Sequence, residues 1–119
     1  KDLGPLVFHA AAKDIRVNPY VAINGVLDNS FRKLREDEPR TNLGGDEWAN
    51  EWPKNSTWDF VAVGKGHPAE YWAEFLKACN DVDPNMWVNI EHEDTSLGRE
   101  EGLAIACETL FKAAEIAKL

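Results

Sequence analysis

Apolar runs in this chain are short, and most of them stop at charge. Residues 5–14, "PLVFHAAAKD", open with a proline, stay apolar and close on Lys13 and Asp14, which predicts a short buried strand. Residues 58–67, "WDFVAVGKGH", alternate as an extended segment and end in Gly64-Lys65-Gly66. Pro68 then takes a favoured first helical position. Tyr71, Trp72, Phe75, Leu76 and Cys79 recur on one face, predicting a helix over 68–80 that Pro84 prevents from continuing. In "MWVNIEHED", 86–94, Met86, Val88 and Ile90 alternate with Trp87, Asn89 and Glu91, and His92, Glu93 and Asp94 crowd the strand end. Thr95 or Ser96 is placed to cap a last helix opening near Gly98, with Glu100 and Glu101 in its first turn. Leu103, Cys107, Leu110, Phe111 and Ala114 form its predicted buried stripe.

Residues 15–57 show no sustained period and are rich in Gly, Pro, Asn and Asp, the composition of a long loop. Loops of that length are usually functional or disordered, or else conceal an element, and Trp48 and Trp52, four apart, point to a short helical turn or a lid that packs. The order is strand, long loop, helix, strand, helix, which predicts an α/β fold with a parallel sheet and helices outside it. Both strands are apolar enough to be covered on two faces, and two strands alone do not make a stable parallel sheet. The chain begins at Lys1 and its only methionine is Met86. It is therefore expected to be part of a longer polypeptide or to be completed by a companion chain.

The chain has 119 residues, 44% of them hydrophobic, which matches the size and core capacity of one domain or a portion of one. The net charge of −8 argues against a nucleic-acid partner, which would require a basic face. No apolar run approaches the ~18 residues needed to cross a bilayer, and no charged-then-apolar leader is visible, so no membrane partner and a cytoplasmic setting are expected. Cys79 and Cys107 lie inside apolar helical patterns and are expected to be reduced core residues. Without an export signal, the acceptor pattern Asn55-Ser56-Thr57 carries no weight.

In parallel α/β architectures functional groups gather at the carboxyl ends of strands. Alternation puts Leu6, Phe8 and Ala10 against helices, with Val7, His9, Ala11 and Lys13 on the opposite face. In the later strand Val88 and Ile90 face the helices, and Trp87, Asn89 and Glu91 face away. His9 and Glu91 then project into one space from parallel strands, the start of a divalent-metal site. A lone histidine on a strand more often has an ordinary hydrogen-bond partner, and charged strand ends are commonly just solvated. Glu91 tilts functional, because an inward carboxylate without a cation or donors costs several kcal/mol of desolvation.

The blocks "FHAAAKD", "WDFVAVGKGHPAEYWAEFLKAC", "WVNIEHED" and "EEGLAIACETLF" resemble the C-terminal part of the sugar phosphate isomerase/epimerase family, over residues 5–14 and 58–115. The resemblance implies a xylose isomerase-like (β/α)8 TIM barrel, shared with ketose 3-epimerases, inosose dehydratases and endonuclease IV-type enzymes. Residues 1–119 would be the C-terminal segment of that single domain, its last two βα units, with 15–57 a long loop insertion after the penultimate strand. Such barrels commonly hold one Mn, Mg, Co or Zn ion, with a histidine on the seventh strand and a glutamate on the eighth. Glu91 matches the glutamate, as metal ligand and as the base that exchanges a proton beside a carbonyl through an enediolate. The family writes its seventh strand His-x-His-x-Lys-Asp. Ala11 stands where the metal-binding histidine would be, and His9 lies on the same face two residues earlier, roughly 6–7 Å away. The metal role is carried to His9 on that ground.

Lys13, Asp14 and Arg16 are then placed to touch substrate oxygens, with His67 and Lys65 on the rim and Trp58 stacking on a sugar beside the lid. The implied activity is that of a metal-dependent sugar (phosphate) isomerase or epimerase, active once the missing strands are supplied, with a small sugar as substrate and a homo-oligomer as one possible assembly. Two alternatives stand beside it. One is a lyase, dehydratase or glycoside-cleaving enzyme on the same scaffold. The other is a metal-free, non-catalytic barrel module, for which Ala11 is the sequence argument.

Overall fold

A computed structural model of the chain describes residues 2–24, 37, 41–44, 47–49, 55–94 and 96–119. The chain divides into two compact units, Lys1–Arg16 with Phe60–Leu119, and Val17–Asp59.

The first unit opens with a 3-10 turn, Gly4–Leu6, that has Pro5 at its start. Strand β1 covers only Ala10–Ala12, and β2, Asp14–Val17, follows after Lys13. The strand expected over 5–14 is therefore shorter and shifted. The reason is the length of its partner: β6, Val88–Ile90, runs parallel to β1 in the register Ala10↔Val88, Ala11↔Asn89 and Ala12↔Ile90, and offers nothing earlier to pair with. Ahead of this register Leu6 and Phe8, expected against helices, are 70% and 83% exposed.

Helix α2, Ala69–Val82, starts one residue after Pro68, whose extended backbone (φ −72°, ψ 168°) forms the N-cap. It ends at Asp83, which is extended and immediately precedes Pro84. Helix α3 is Arg99–Ala117 and carries Glu100 and Glu101 where its positive end favours them. Gly98 is the N-cap, with no side-chain hydrogen bond to the first turn. The core joins Ala12 of β1, Val63, Trp72 and Ala73 of α2, and Ala106 and Ala113 of α3. Phe75, Leu76, Val88, Ile90, Leu110 and Ala117 pack around it, and the rings of Trp72 and Phe75 meet edge to face at 5.4 Å.

The buried stripe of α3 differs from the predicted one. Gly102, Ala106 and Ala113 are buried, while Cys107 is exposed and Phe111 is 72% exposed. Hydrophobic periodicity weights large side chains, but two helices and a strand approach most closely where side chains are smallest, so alanines and a glycine take the contact. The larger residues form a second apolar face. Together with Leu76, Val88 and Ile90, Cys107, Leu110, Phe111 and Ala114 line an open groove of about 270 Å³. Cys79 and Cys107 are free thiols, Cys79 half-buried with its pKa pushed up by burial.

In the second unit Val21–Asn24 forms a single helical turn, α1. Strands β3, Thr41–Gly44, and β4, Glu47–Ala49, pair antiparallel with a shift in register between Asn42 and Gly44. The stretch expected to be one long loop thus contains regular elements, each too short to leave a periodic signal. Strand β5, Trp58–Val61, begins at the end of this unit and finishes in the first. Trp52 lies outside the described residues, as does the side chain of Trp48.

Candidate functional site

Parity along the parallel strands sorts the polar residues of the first unit into two groups. On the helix side of β1 and β6 lie Ala12, Val88 and Ile90. On the other face, His9 Nε2 lies 2.6 Å from Asn89 Oδ1, and Lys13 Nζ donates to Glu91 Oε1 at 2.7 Å. Glu93 Oε1 accepts a second bond from Lys13 at 2.8 Å, and the same ammonium sits 4.3 Å from the centroid of the Phe60 ring. Glu91 immediately follows β6, and its backbone N–H donates to Ala12 O at 3.0 Å, which extends the parallel ladder and aims the carboxylate. Burial by itself would lower the Lys13 pKa. The hydrogen bonds and charges of Glu91 and Glu93 outweigh it and raise the pKa above the usual 10.5, so the lysine is charged at neutral pH.

Asp14 points the opposite way, as alternation from Lys13 requires. Its side chain is fully buried, and its two oxygens accept from the backbone N–H groups of Ile15, Gly64, Gly66 and His67 and from His67 Nδ1. The carboxylate expected to meet substrate is instead the organising centre of the Gly64–His67 turn. Gly64 there has φ +99°, and a Cβ on Gly66 would collide with Ile15 O and Asp14 Oδ1. His67 gives its Nδ1–H to Asp14 at 2.7 Å and stacks on Tyr71 at 4.2 Å. The contacts of His67 are thus with Asp14 and Tyr71, those of Glu91 with Lys13.

The segment after Glu91 is fixed by Asp94, whose Oδ2 accepts from Ala62 N at 2.9 Å and whose Oδ1 accepts from Ser96 N and Oγ at 2.7 and 2.6 Å. Burial would raise the Asp94 pKa. The Ser96 hydroxyl and the backbone N–H groups of Ala62, Ser96 and Leu97 outweigh it and hold the carboxyl below the usual 3.8. Arg16 and Lys65 border a hollow of about 150 Å³ with Val61, Asp94, Ser96 and Leu97. His92 turns toward α3, where its ring lies against Gly102 so closely that a Cβ would not fit. Trp58 belongs to the second unit, where its carbonyl accepts from the Ser56 hydroxyl.

Of the residues singled out in the sequence, Lys13 and Glu91 are brought together, and His9 is on the same strand face but engaged with Asn89. Glu93 and Phe60 were not anticipated as members of this cluster, and Asn89, which alternation puts on this face, was not anticipated as the partner of His9. Register alone would have found Asn89, since it lies opposite Ala11, two residues beyond His9. A divalent ion needs at least three converging donors. Among the described residues no group of three or more His, Cys, Asp or Glu is placed to hold one.

The uncharacterized protein YfiH of Bacillus subtilis (strain 168) is similar, 29% identical over 111 residues that make up 92% of this chain and 30% of that protein. The chain thus spans less than a third of the length of this relative. No family model matches the chain. No solved structure matches it either. Among the described residues, no helix is long and apolar enough to cross a membrane.

Proposed function

We propose that this chain supplies the carboxylate-bearing end of a (β/α)8-barrel enzyme that isomerises or epimerises a sugar or sugar phosphate. In this reading Glu91 takes a proton from the carbon beside a carbonyl and returns it after the enediolate has formed. The observation that carries the reading is the position of Glu91: just past the carboxyl end of a parallel strand, on the face away from the helices, with a cation at 2.7 Å. A relative more than three times as long as the matched region supports the view that further strands complete the sheet, from the same polypeptide or a companion chain. A divalent ion belongs to the reading only if that remainder brings the missing donors, and no step is routed through it. Two free cysteines and the absence of a membrane-crossing helix among the described residues agree with a cytoplasmic setting.

The test is exchange of substrate hydrogen with solvent. Incubated in D2O with a panel of ketoses, aldoses and their phosphates, the intact protein incorporates deuterium at the carbon beside the carbonyl of its substrate. Glu91→Gln lowers that rate by about 10²-fold or more. Unchanged exchange in the variant rules out Glu91 as the base.

A further inference from the structure

The resemblance puts a divalent ion beside Glu91, and the cation found beside Glu91 is Lys13. Its ammonium donates at 2.7 Å to Glu91 and at 2.8 Å to Glu93 and rests 4.3 Å from the centre of the Phe60 ring. Those three contacts use the three directions open to an ammonium. The other donor expected for an ion, His9, is held by Asn89 at 2.6 Å. Between His9 and Lys13 this strand face offers only the methyl group of Ala11. The two carboxylates that an ion would need already share one cation from within the chain, and the residue that supplies it is the next one along the same face.

We propose that the Lys13 ammonium is the built-in cation of this site and stands where a divalent ion would otherwise bind Glu91 and Glu93. The inference rests on the reading of Glu91 as the proton-exchanging carboxylate, and it names the positive charge that the same site uses. When the C–H electron pair becomes the C=C bond of the enediolate and the proton passes to Glu91, the carbonyl π pair moves onto its oxygen. An ammonium already anchored by Glu91 meets that charge through an N–H hydrogen bond, exchanging its contact with Glu93 or the Phe60 ring for the substrate oxygen.

The experiment is a titration of the intact, metal-stripped, isotopically labelled protein with MnCl2, read by paramagnetic broadening of the side-chain carboxyl resonances of Glu91 and Glu93. In the wild-type protein these signals show no saturable broadening at submillimolar Mn2+. Lys13→Met, which keeps the unbranched stem, one atom shorter, and removes the charge, gains saturable broadening at both carboxylates with at least tenfold tighter apparent binding. Lys13→Arg, which keeps the charge, behaves as the wild type. Saturable broadening at Glu91 in the wild type overturns the proposal, and so does a folded Lys13→Met that gains none. Should Lys13→Met fail to fold, the wild-type titration decides alone, its flat response supporting the proposal and saturation overturning it. No arm requires turnover, so a protein that excludes Mn2+ as described yet exchanges no substrate hydrogen would retire the reaction and keep the lysine.

Discussion

Asp14 and Glu91 are both carboxylates at the ends of short strands in one unit, and their surroundings are opposites. Asp14 is fully buried and accepts hydrogen bonds from four backbone N–H groups and an imidazole. Glu91 keeps 46% of its side chain exposed and is paired with the Lys13 ammonium. The first carboxylate is immobilised by many fixed dipoles and so holds a turn in shape. The second is oriented by a flexible ammonium and keeps lone pairs accessible, as the proposed proton exchange requires. The comparison separates a carboxylate that builds the molecule from one that the molecule displays.

Replacing Asp14 should have the largest effect. Asp14→Asn keeps the shape but turns an NH2 group toward N–H donors, leaving buried donors unsatisfied, and costs about 3 kcal/mol. A urea unfolding midpoint with unchanged slope reads this directly. A loss below about 1 kcal/mol would erase the contrast with Glu91. On the buried side of the Glu91 segment the corresponding test is Gly102→Ala. Helix propensity alone favours alanine by about 1 kcal/mol. The new Cβ would overlap the His92 ring, so the net result is a loss of about 1–2 kcal/mol on the same assay.

Strand parity was legible from the sequence because a period of two survives even in a three-residue strand, and it sorted Val88 and Ile90 from Asn89 and Glu91. The burial of Asp14 was not legible. A charged residue at a strand end reads as solvated, and all its partners but Ile15 lie some fifty positions away, most of them backbone N–H groups that leave no side-chain signature beyond Gly64 and Gly66. The contact face of α3 was hidden for a related reason: Gly102, Ala106 and Ala113 are buried because they are small, whereas a hydrophobic stripe is recognised by its large members. The Lys13–Glu91 pair falls between these cases. Both residues were visible as strand-end charges on one face, but that they would meet each other follows from the parallel register.

Asp94 sits between the extremes of the comparison, half-buried and held by Ala62, Ser96 and Leu97. Because its folded pKa lies below the ordinary 3.8, its stabilisation is complete above that value and is lost as pH falls through the folded pKa. Asp94→Asn therefore costs about 1 kcal/mol near neutral pH. The difference between wild type and variant closes as the protein is taken into acid. Unfolding midpoints at a series of pH values check this, and a gap that stays constant down to the acid limit would show that the carboxylate charge is not what the surrounding donors recognise.

The smallest stability effect belongs to Glu91. In Glu91→Gln the amide oxygen can still accept from Lys13, the ammonium keeps Glu93 and the Phe60 ring, and only a half-exposed ion pair is weakened. Pairs of that kind contribute about 0–1 kcal/mol, so the stability of the variant read from its urea midpoint should change by less than about 0.5 kcal/mol. Set against the loss in Asp14→Asn, this near-silence is the sharpest form of the comparison. A carboxylate that can be neutralised without disturbing the fold is one whose charge is available for chemistry. If Glu91→Gln instead destabilised the protein as much as Asp14→Asn, Glu91 would be a second structural carboxylate, its bond to Lys13 would be a fastening of β6 to the segment after β1, and no proton transfer could be assigned to it from its position.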